Sequence, residues 1–166
     1  WNEAWTITRQ AMSYTNHTRM PEALETWPVR LFEELLPRPL EIIYQINHRF
    51  LAEAKARFPE DEELLARVSL IGENGERRIR MAALAIVASH KVNGVSALHS
   101  DLMVQTIFAD YAKLFPERFI NVTNGVTPRR WLMQANPELS ALIDSRIGAG
   151  WRRDLDQLAK LREQAG

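Results

Sequence analysis

The sequence predicts a mainly α-helical chain with a few short strands. Apolar residues recur at helical spacing through most of its 166 residues. Prolines open, break or end the helical stretches rather than sitting within a turn. The run Ile79 to Ser89 is rich in alanine, which favours helix over strand.

Trp1, Ala4, Trp5, Thr8, Ala11 and Met12 share one helical face, giving a first helix that stops near Tyr14. A long helical region is expected from Pro21 to Phe58. Pro21 suits its first position, where the missing N–H would be unpaired anyway. Glu22 and Glu25, three apart, would share one face of that first turn and complement the helix dipole. Pro28, Pro37 and Pro39 break the region and Pro59 ends it. Its last section carries a stripe of Leu40, Ile43, Tyr44, Asn47, Phe50, Leu51, Ala54 and Phe58. Ile42 and Ile46 lie off the stripe, so cover on more than one face is expected. Asn47, inside the stripe, should be a buried polar group paired to backbone.

A short helix follows over 61–67, then a turn at Gly72-Glu73-Asn74-Gly75. After the alanine-rich helix, Asn93-Gly94 marks a tight backbone site, and another helix runs from about Ser96 to Phe108. Phe119 to Val122 reads as a short strand leading into a Thr123-Asn124-Gly125 turn. Thr127 makes an N-cap with Pro128 at the first helical position. Asn136-Pro137 repeats that device for a helix carrying Leu139, Leu142, Ile143 and Ile147, stopped by Gly148. A last helix near 154–162 carries Leu155, Leu158 and Leu161. There is no internal repeat and no low-complexity segment.

Twenty-one basic and twenty-one acidic residues cancel, which gives no electrostatic case for nucleic acid or an anionic membrane as partner. Cysteine is absent, so disulfides are excluded. No signal-peptide pattern or long apolar run appears.

The polar loop Tyr14 to Arg19 concentrates Asn16, His17 and Thr18, which on chemistry alone is a candidate sugar or metal site or a helix cap. His17 with Glu22 and Glu25 matches no standard zinc spacing, so no metal is assigned. Thr127-Pro128-Arg129-Arg130 has the composition of an anion site at a helix N-terminus, with solvated or ion-paired arginines as the alternative. His99 lies one turn from Leu102 and Met103 and reads as a half-buried structural histidine. On residues alone, Asn124 would be the left-handed half of an Asn-Gly turn and Trp131 a core aromatic.

Three ordered blocks say more. Tyr14-Thr15-Asn16-His17-Thr18 with Met20-Pro21-Glu22-Ala23-Leu24-Glu25 resembles the α-glucan (glycogen or maltodextrin) phosphorylases. So do Val92-Asn93-Gly94-Val95-Ser96-Ala97-Leu98-His99-Ser100 and Asn121-Val122-Thr123-Asn124-Gly125-Val126-Thr127-Pro128-Arg129-Arg130-Trp131. Leu35-Leu36-Pro37-Arg38 and Asp154-Leu155-Asp156-Gln157-Leu158 extend the resemblance over essentially the whole chain. Members of that family are several times longer, so an interior fragment is expected, of bacterial origin.

The resemblance implies a parent of two Rossmann-like domains facing a cleft, a two-domain α/β glycosyltransferase of the GT-B type. Residues 1–125 would end its N-terminal domain and 126–166 would begin the C-terminal one. It implies phosphorolysis of α-1,4-glucan by inorganic phosphate, with retention, giving glucose 1-phosphate. Pyridoxal phosphate assists, relaying a proton through its phosphate, on a lysine outside this fragment. His17 is the catalytic position: its ring bonds the sugar 6-hydroxyl and its backbone carbonyl lies near the anomeric carbon. Val95 would touch the sugar and Asn124 would bond the 6-hydroxyl. Thr18, Ala23 and Glu25 match positions lining the neighbouring pocket, and Trp131 matches an aromatic near the cofactor. A cytoplasmic homodimer is implied for the parent, and an inactive fragment that self-associates. The alternatives are a nucleotide-sugar glucan synthase of similar architecture and a non-enzymatic helical interaction module.

Overall fold

Helix dominates the residues that the computed structural model describes, 1–73 and 75–164. They divide into two units, Trp1–Asn124 and the stretch from Gly125 onward. The mainly helical expectation with a few short strands holds.

In the first unit, α1 (Asn2–Ala11) leads directly into a short strand, β1 (Ser13–Thr15). The helix expected to open at Pro21 is a single 3₁₀ turn, Pro21–Ala23. Leu24 already has extended backbone, so Glu22 and Glu25 do not share a helical face. Chain then enters β2 (Thr26–Pro28), α2 (Val29–Leu35) and the long α3 (Pro37–Arg57). Pro37 opens α3 at its first turn, where a missing N–H costs nothing.

The stripe of α3 is buried at Leu40, Ile43, Phe50 and Ala54. Ile46 is buried as well, but Ile42 is exposed, so the second face is only partly covered. Asn47 is half-buried and its Oδ1 accepts the Leu70 N–H at 2.8 Å, the expected pairing to backbone.

Asp61 caps α4 (Glu62–Val68) by accepting the Leu64 N–H at 3.0 Å. The chain continues through β3 (Ile71–Gly72), β4 (Arg78–Arg80), α5 (Met81–Ala88) and β5 (Lys91–Gly94). The turn expected at 72–75 includes Asn74, which lies outside the described residues. The expected helix from Ile79 starts two residues later, because Ile79 pairs in β4 with both Trp27 and Ile71. The unit closes with α6 (Ala97–Gln105), α7 (Ala109–Leu114) and β6 (Phe119–Asn121).

Among the described residues six strands make two sheets. β2, β4 and β3 form an antiparallel sheet with β4 in the middle. β1, β5 and β6 form a parallel sheet with β5 in the middle. Parallel neighbours need long crossovers, and helices supply them here: the β5 to β6 connection holds α6 and α7. Val92, at the centre of that sheet, is completely buried. It belongs to the main core with Phe50, Leu64, Val68, Ile86 and Met103. A smaller core joins Val29, Leu40, Ile43, Ile71 and Ile79 around the antiparallel sheet. Each fully buried aliphatic side chain contributes about 1.5–3 kcal/mol, so the parallel sheet is anchored through Val92 and the helices over it.

Two polar devices hold the edges of this core. His90 meets the Met12 carbonyl through both its N–H (3.1 Å) and Nδ1 (2.8 Å), tying the end of α1 to the start of β5. Arg118 is buried, stacked 3.6 Å over Phe115, and faces the Ile86 and Val87 carbonyls at the end of α5. Burial, aided by the Arg9 charge, lowers its guanidinium to about 10.

In the second unit, Pro128 opens a helical turn that widens into a π-type turn over Arg130–Gln134. The Ala135 N–H reaches the Arg130 carbonyl at 3.0 Å, five residues back. Asn136 then caps α8 (Pro137–Ile147) by accepting the Leu139 N–H at 3.1 Å, and Gly148 ends it at φ 77°. The last helix is 3₁₀ in character, Leu155–Gln164.

Candidate functional site

Three loops leave the same edge of the parallel sheet. His17 follows β1, Val95 follows β5 and Asn124 follows β6, all beyond the carboxyl ends of neighbouring strands. Open α/β sheets present ligand sites at that edge, because loops there turn outward with backbone groups free.

The loops are held in register past the end of the sheet. Asn16 donates its N–H to the Asn93 carbonyl at 2.9 Å. On the other side, Val122 donates to the Gly94 carbonyl at 3.1 Å and Asn124 to the Val95 carbonyl at 3.0 Å. Each strand pairing is thus extended into the segment carrying the candidate residues.

Side chains fix the first loop. Asn16 is 1% exposed, donates through Nδ2 to the Tyr14 hydroxyl at 3.1 Å, and accepts the Thr18 N–H at 3.2 Å. That last bond is an Asx turn, and it turns the backbone so that His17 is exposed while its neighbour is buried. Thr18 Oγ1 in turn accepts the Met20 N–H at 3.2 Å. Thr15 donates to Asn93 Oδ1 at 2.9 Å, joining the β1 and β5 ends. The Asn16 side-chain amide is therefore committed inside the fold.

The second loop is tight, as Asn93-Gly94 suggested. A Cβ on Gly94 would lie 2.5 Å from Ser100 Oγ and 2.9 Å from His99 Nδ1, so no side chain fits there. Val95 donates its N–H to His99 Nδ1 at 3.0 Å, and Ser96 caps α6 by accepting the His99 N–H at 3.1 Å. Ser100 Oγ lies 2.9 Å from the Ser96 carbonyl and 3.1 Å from Asn121 Oδ1, bridging the first turn of α6 to the end of β6. Asn124 is not left-handed: among the described residues positive φ occurs only at glycines, and Gly125 (66°) takes that role after it.

Thr18, half-buried, is tied to the His17 loop through the Asx turn. Ala23 ends the 3₁₀ turn further along the chain, and Glu25 leads into β2 of the other sheet. The Glu25 carboxylate accepts the Trp27 indole N–H, and its carbonyl accepts the Met81 N–H at 3.1 Å. Trp131 belongs to the second unit and is 62% exposed, so it is no core aromatic of that unit. Arg129 does not wait for an anion. Its Nε and Nη2 donate to the Arg152 and Arg153 carbonyls, while both Arg129 and Arg130 are exposed.

Asn93 and His99 are the residues that sequence reasoning did not assign to the site, and the Ser96-to-His99 capping interval was the available signal for the second. Among the described residues no group of three or more His, Asp or Glu could hold a metal ion. No described helix is long and apolar enough to cross a membrane.

These residues do not form a pyridoxal phosphate site. Lys91 donates to the Glu117 carbonyl, Lys113 pairs with Asp61 over the Phe58 ring, and Lys55 and Lys160 are exposed. Among the described residues no lysine is buried.

Comparison with known proteins gives one consistent family. The family model described as carbohydrate phosphorylase matches residues 1–166. The chain is 56% identical over 164 residues to a glycogen phosphorylase of Pasteurella multocida, covering 99% of this chain and 20% of the relative. It is 56% identical over 165 residues to the glycogen phosphorylase of Saccharomyces cerevisiae, 98% of this chain and 18% of the relative. It is 52% identical over 166 residues to the human liver form, 100% of this chain and 20% of the relative. The chain thus spans about a fifth of the length of the curated relatives it matches.

Proposed function

The chain belongs to the carbohydrate phosphorylase family, and on that premise we propose that it supplies one wall of a glucosyl site in a longer enzyme. That enzyme cleaves the α-1,4 bonds of glycogen or a related glucan with inorganic phosphate and releases glucose 1-phosphate. The observation that carries the proposal is the common edge of β1, β5 and β6, from which His17, Val95 and Asn124 all emerge.

In this reading the His17 ring and the Asn124 side chain bond the sugar 6-hydroxyl, and Val95 packs against the ring. The bond from the anomeric carbon to the glucan oxygen breaks, and a bond from the same carbon to a phosphate oxygen forms. The inorganic phosphate gives up its proton to the departing 4-oxygen, which leaves as the 4-hydroxyl of the shortened glucan. Positive charge gathers at the anomeric carbon in between, and the negative end of the His17 carbonyl dipole, fixed in advance, stabilises it. The Asx turn on Asn16 supports this role, since it holds the His17 backbone before substrate arrives.

Thr18, Ala23 and Glu25 line the neighbouring pocket in the same reading, and Trp131 stands near the cofactor. Pyridoxal phosphate would be held by a lysine and phosphate-binding groups outside these residues, where its phosphate would supply acid–base chemistry. Trp1–Asn124 would end the N-terminal domain of a two-domain α/β parent and the residues from Gly125 would begin the second. The intact enzyme is a cytoplasmic homodimer in this reading. The 166-residue piece alone is inactive, and its exposed Trp1, Trp27 and Ile42 favour self-association, which light scattering measures.

The test is phosphate-dependent release of glucose 1-phosphate from glycogen and maltodextrin, by the intact enzyme and by this chain. Activity in the intact enzyme alone is expected. An inactive cofactor-loaded enzyme, or turnover by the isolated chain, overturns the proposal.

A further inference from the structure

We propose that His99 is a positioning residue of the same site, a reading that rests on the function proposed above. It touches no substrate in this account. It acts by clamping the peptide that carries Val95.

Three backbone polar groups, on the two peptides that flank Val95, are held from different directions. The Gly94 carbonyl accepts the Val122 N–H at 3.1 Å, and the Val95 carbonyl accepts the Asn124 N–H at 3.0 Å. The Val95 N–H, which belongs to the Gly94–Val95 peptide, has His99 Nδ1 as its acceptor at 3.0 Å. That peptide plane is therefore fixed at its oxygen by the β6 loop and at its nitrogen by His99. Remove the imidazole acceptor and the plane is held at one end only. The segment joined through it includes Asn124, so one ring governs two of the three sugar-facing loops.

The state of the ring points the same way. Because Nδ1 accepts, the ring proton sits on Nε2. That Nε2 is buried and has no hydrogen-bond partner among the described residues. A buried donor left unpaired is unfavourable, and a histidine serving only to pack would be replaceable by a leucine of similar bulk. What the imidazole supplies and leucine cannot is the acceptor at Nδ1. The geometry leaves no slack for that acceptor: Ser96 pins the His99 backbone from the helix cap, and the space over Gly94 is closed by the ring together with Ser100.

The experiment uses the intact, cofactor-loaded enzyme with wild-type His99, His99→Leu and His99→Asn. Leucine keeps bulk without an acceptor, and asparagine offers Oδ1 where Nδ1 stood. His99→Leu is expected to lower kcat by roughly ten- to a hundredfold, the scale set by a small misplacement of reacting groups. Its KM for phosphate should not change, because the clamp orients the sugar side. His99→Asn is expected to recover most of kcat. Amide hydrogen exchange at Val95 should be fast in His99→Leu and slow in wild type and His99→Asn. If His99→Leu fails to fold, the asparagine variant decides: retained kcat with a protected Val95 amide supports the clamp.

Full kcat in His99→Leu overturns the inference. So does loss of kcat in both variants with Val95 still protected, or loss that merely follows the thermal midpoint. An inactive wild-type enzyme overturns the proposed function instead, and Val95 exchange in the variants then still decides whether the clamp exists.

Discussion

The N–H of Asn124 donates to the carbonyl of Val95 at 3.0 Å, beyond the last paired residues of β5 and β6. Two loops far apart in sequence are therefore locked into one surface by main-chain bonding. With the Asn16 to Asn93 bond on the other flank, the edge of the parallel sheet is built before any ligand arrives. Preorganisation of this kind lets a site spend its binding energy on the transition state rather than on ordering loops.

His17→Ala in the intact enzyme should lower kcat/KM while leaving the fold untouched. A lost hydrogen bond that strands its partner costs about 1–3 kcal/mol, or roughly five- to a hundredfold in kcat/KM. The His17 side chain is exposed, so the thermal midpoint should stay at the wild-type value. Steady-state kinetics beside a melting curve checks both halves.

Asn16→Ala should do the opposite and destabilise. The side chain is 1% exposed and serves Tyr14 and Thr18 together. Its removal leaves the Thr18 N–H without its acceptor, at a cost of about 1–3 kcal/mol. Denaturant unfolding of the intact enzyme gives the number, and kcat should fall too because the His17 backbone loses its turn.

Gly94→Ala should be more damaging than an ordinary glycine substitution. The new methyl would meet Ser100 Cα and His99 Nδ1, each at 2.9 Å, and Ser100 Oγ at 2.5 Å. Overpacking costs about 1–3 kcal/mol, and relief requires the first turn of α6, with Ser100 and His99, to move away from Gly94 and Val95. The variant should therefore show fast exchange at the Val95 amide along with a lowered unfolding midpoint.

Asp61 should give the first unit an acid-sensitive cap. The Leu64 N–H, with Lys113 and Arg67 nearby, holds its carboxyl below its ordinary value of 3.8. A carboxyl whose folded pKa is depressed adds stability above its unfolded pKa and loses it as pH falls through the folded one. Wild type should thus exceed Asp61→Ala in stability at neutral pH, and the gap should close below pH 3.8. Equilibrium unfolding of the pair as a function of pH measures this.

The helices were legible because they are long and periodic or capped by chemistry visible in the chain. Asp61, Asn136 and Gly148 sit at helix ends for local reasons that need no tertiary structure. The strands were mostly not legible. Ser13–Thr15 and Lys91–Gly94 are three and four residues long, too short for alternation, and Val92 becomes central only through its neighbours in space. The Pro21 turn misled for a related reason. A proline followed by acids can open a helix, but the backbone is extended by Leu24 and pairs as β2 soon after. Of the site, the loop residues His17, Val95 and Asn124 came from matching blocks of sequence. The way they share one sheet edge depended on the parallel order β1-β5-β6, which no local pattern carries.

The most direct test of the shared edge is a crystal structure of the intact enzyme with glucose bound. The account predicts the sugar 6-hydroxyl within hydrogen-bond distance of both the His17 ring and the Asn124 side chain, with Val95 against the sugar. Glucose bound at the active site without contact to these three loops would contradict it.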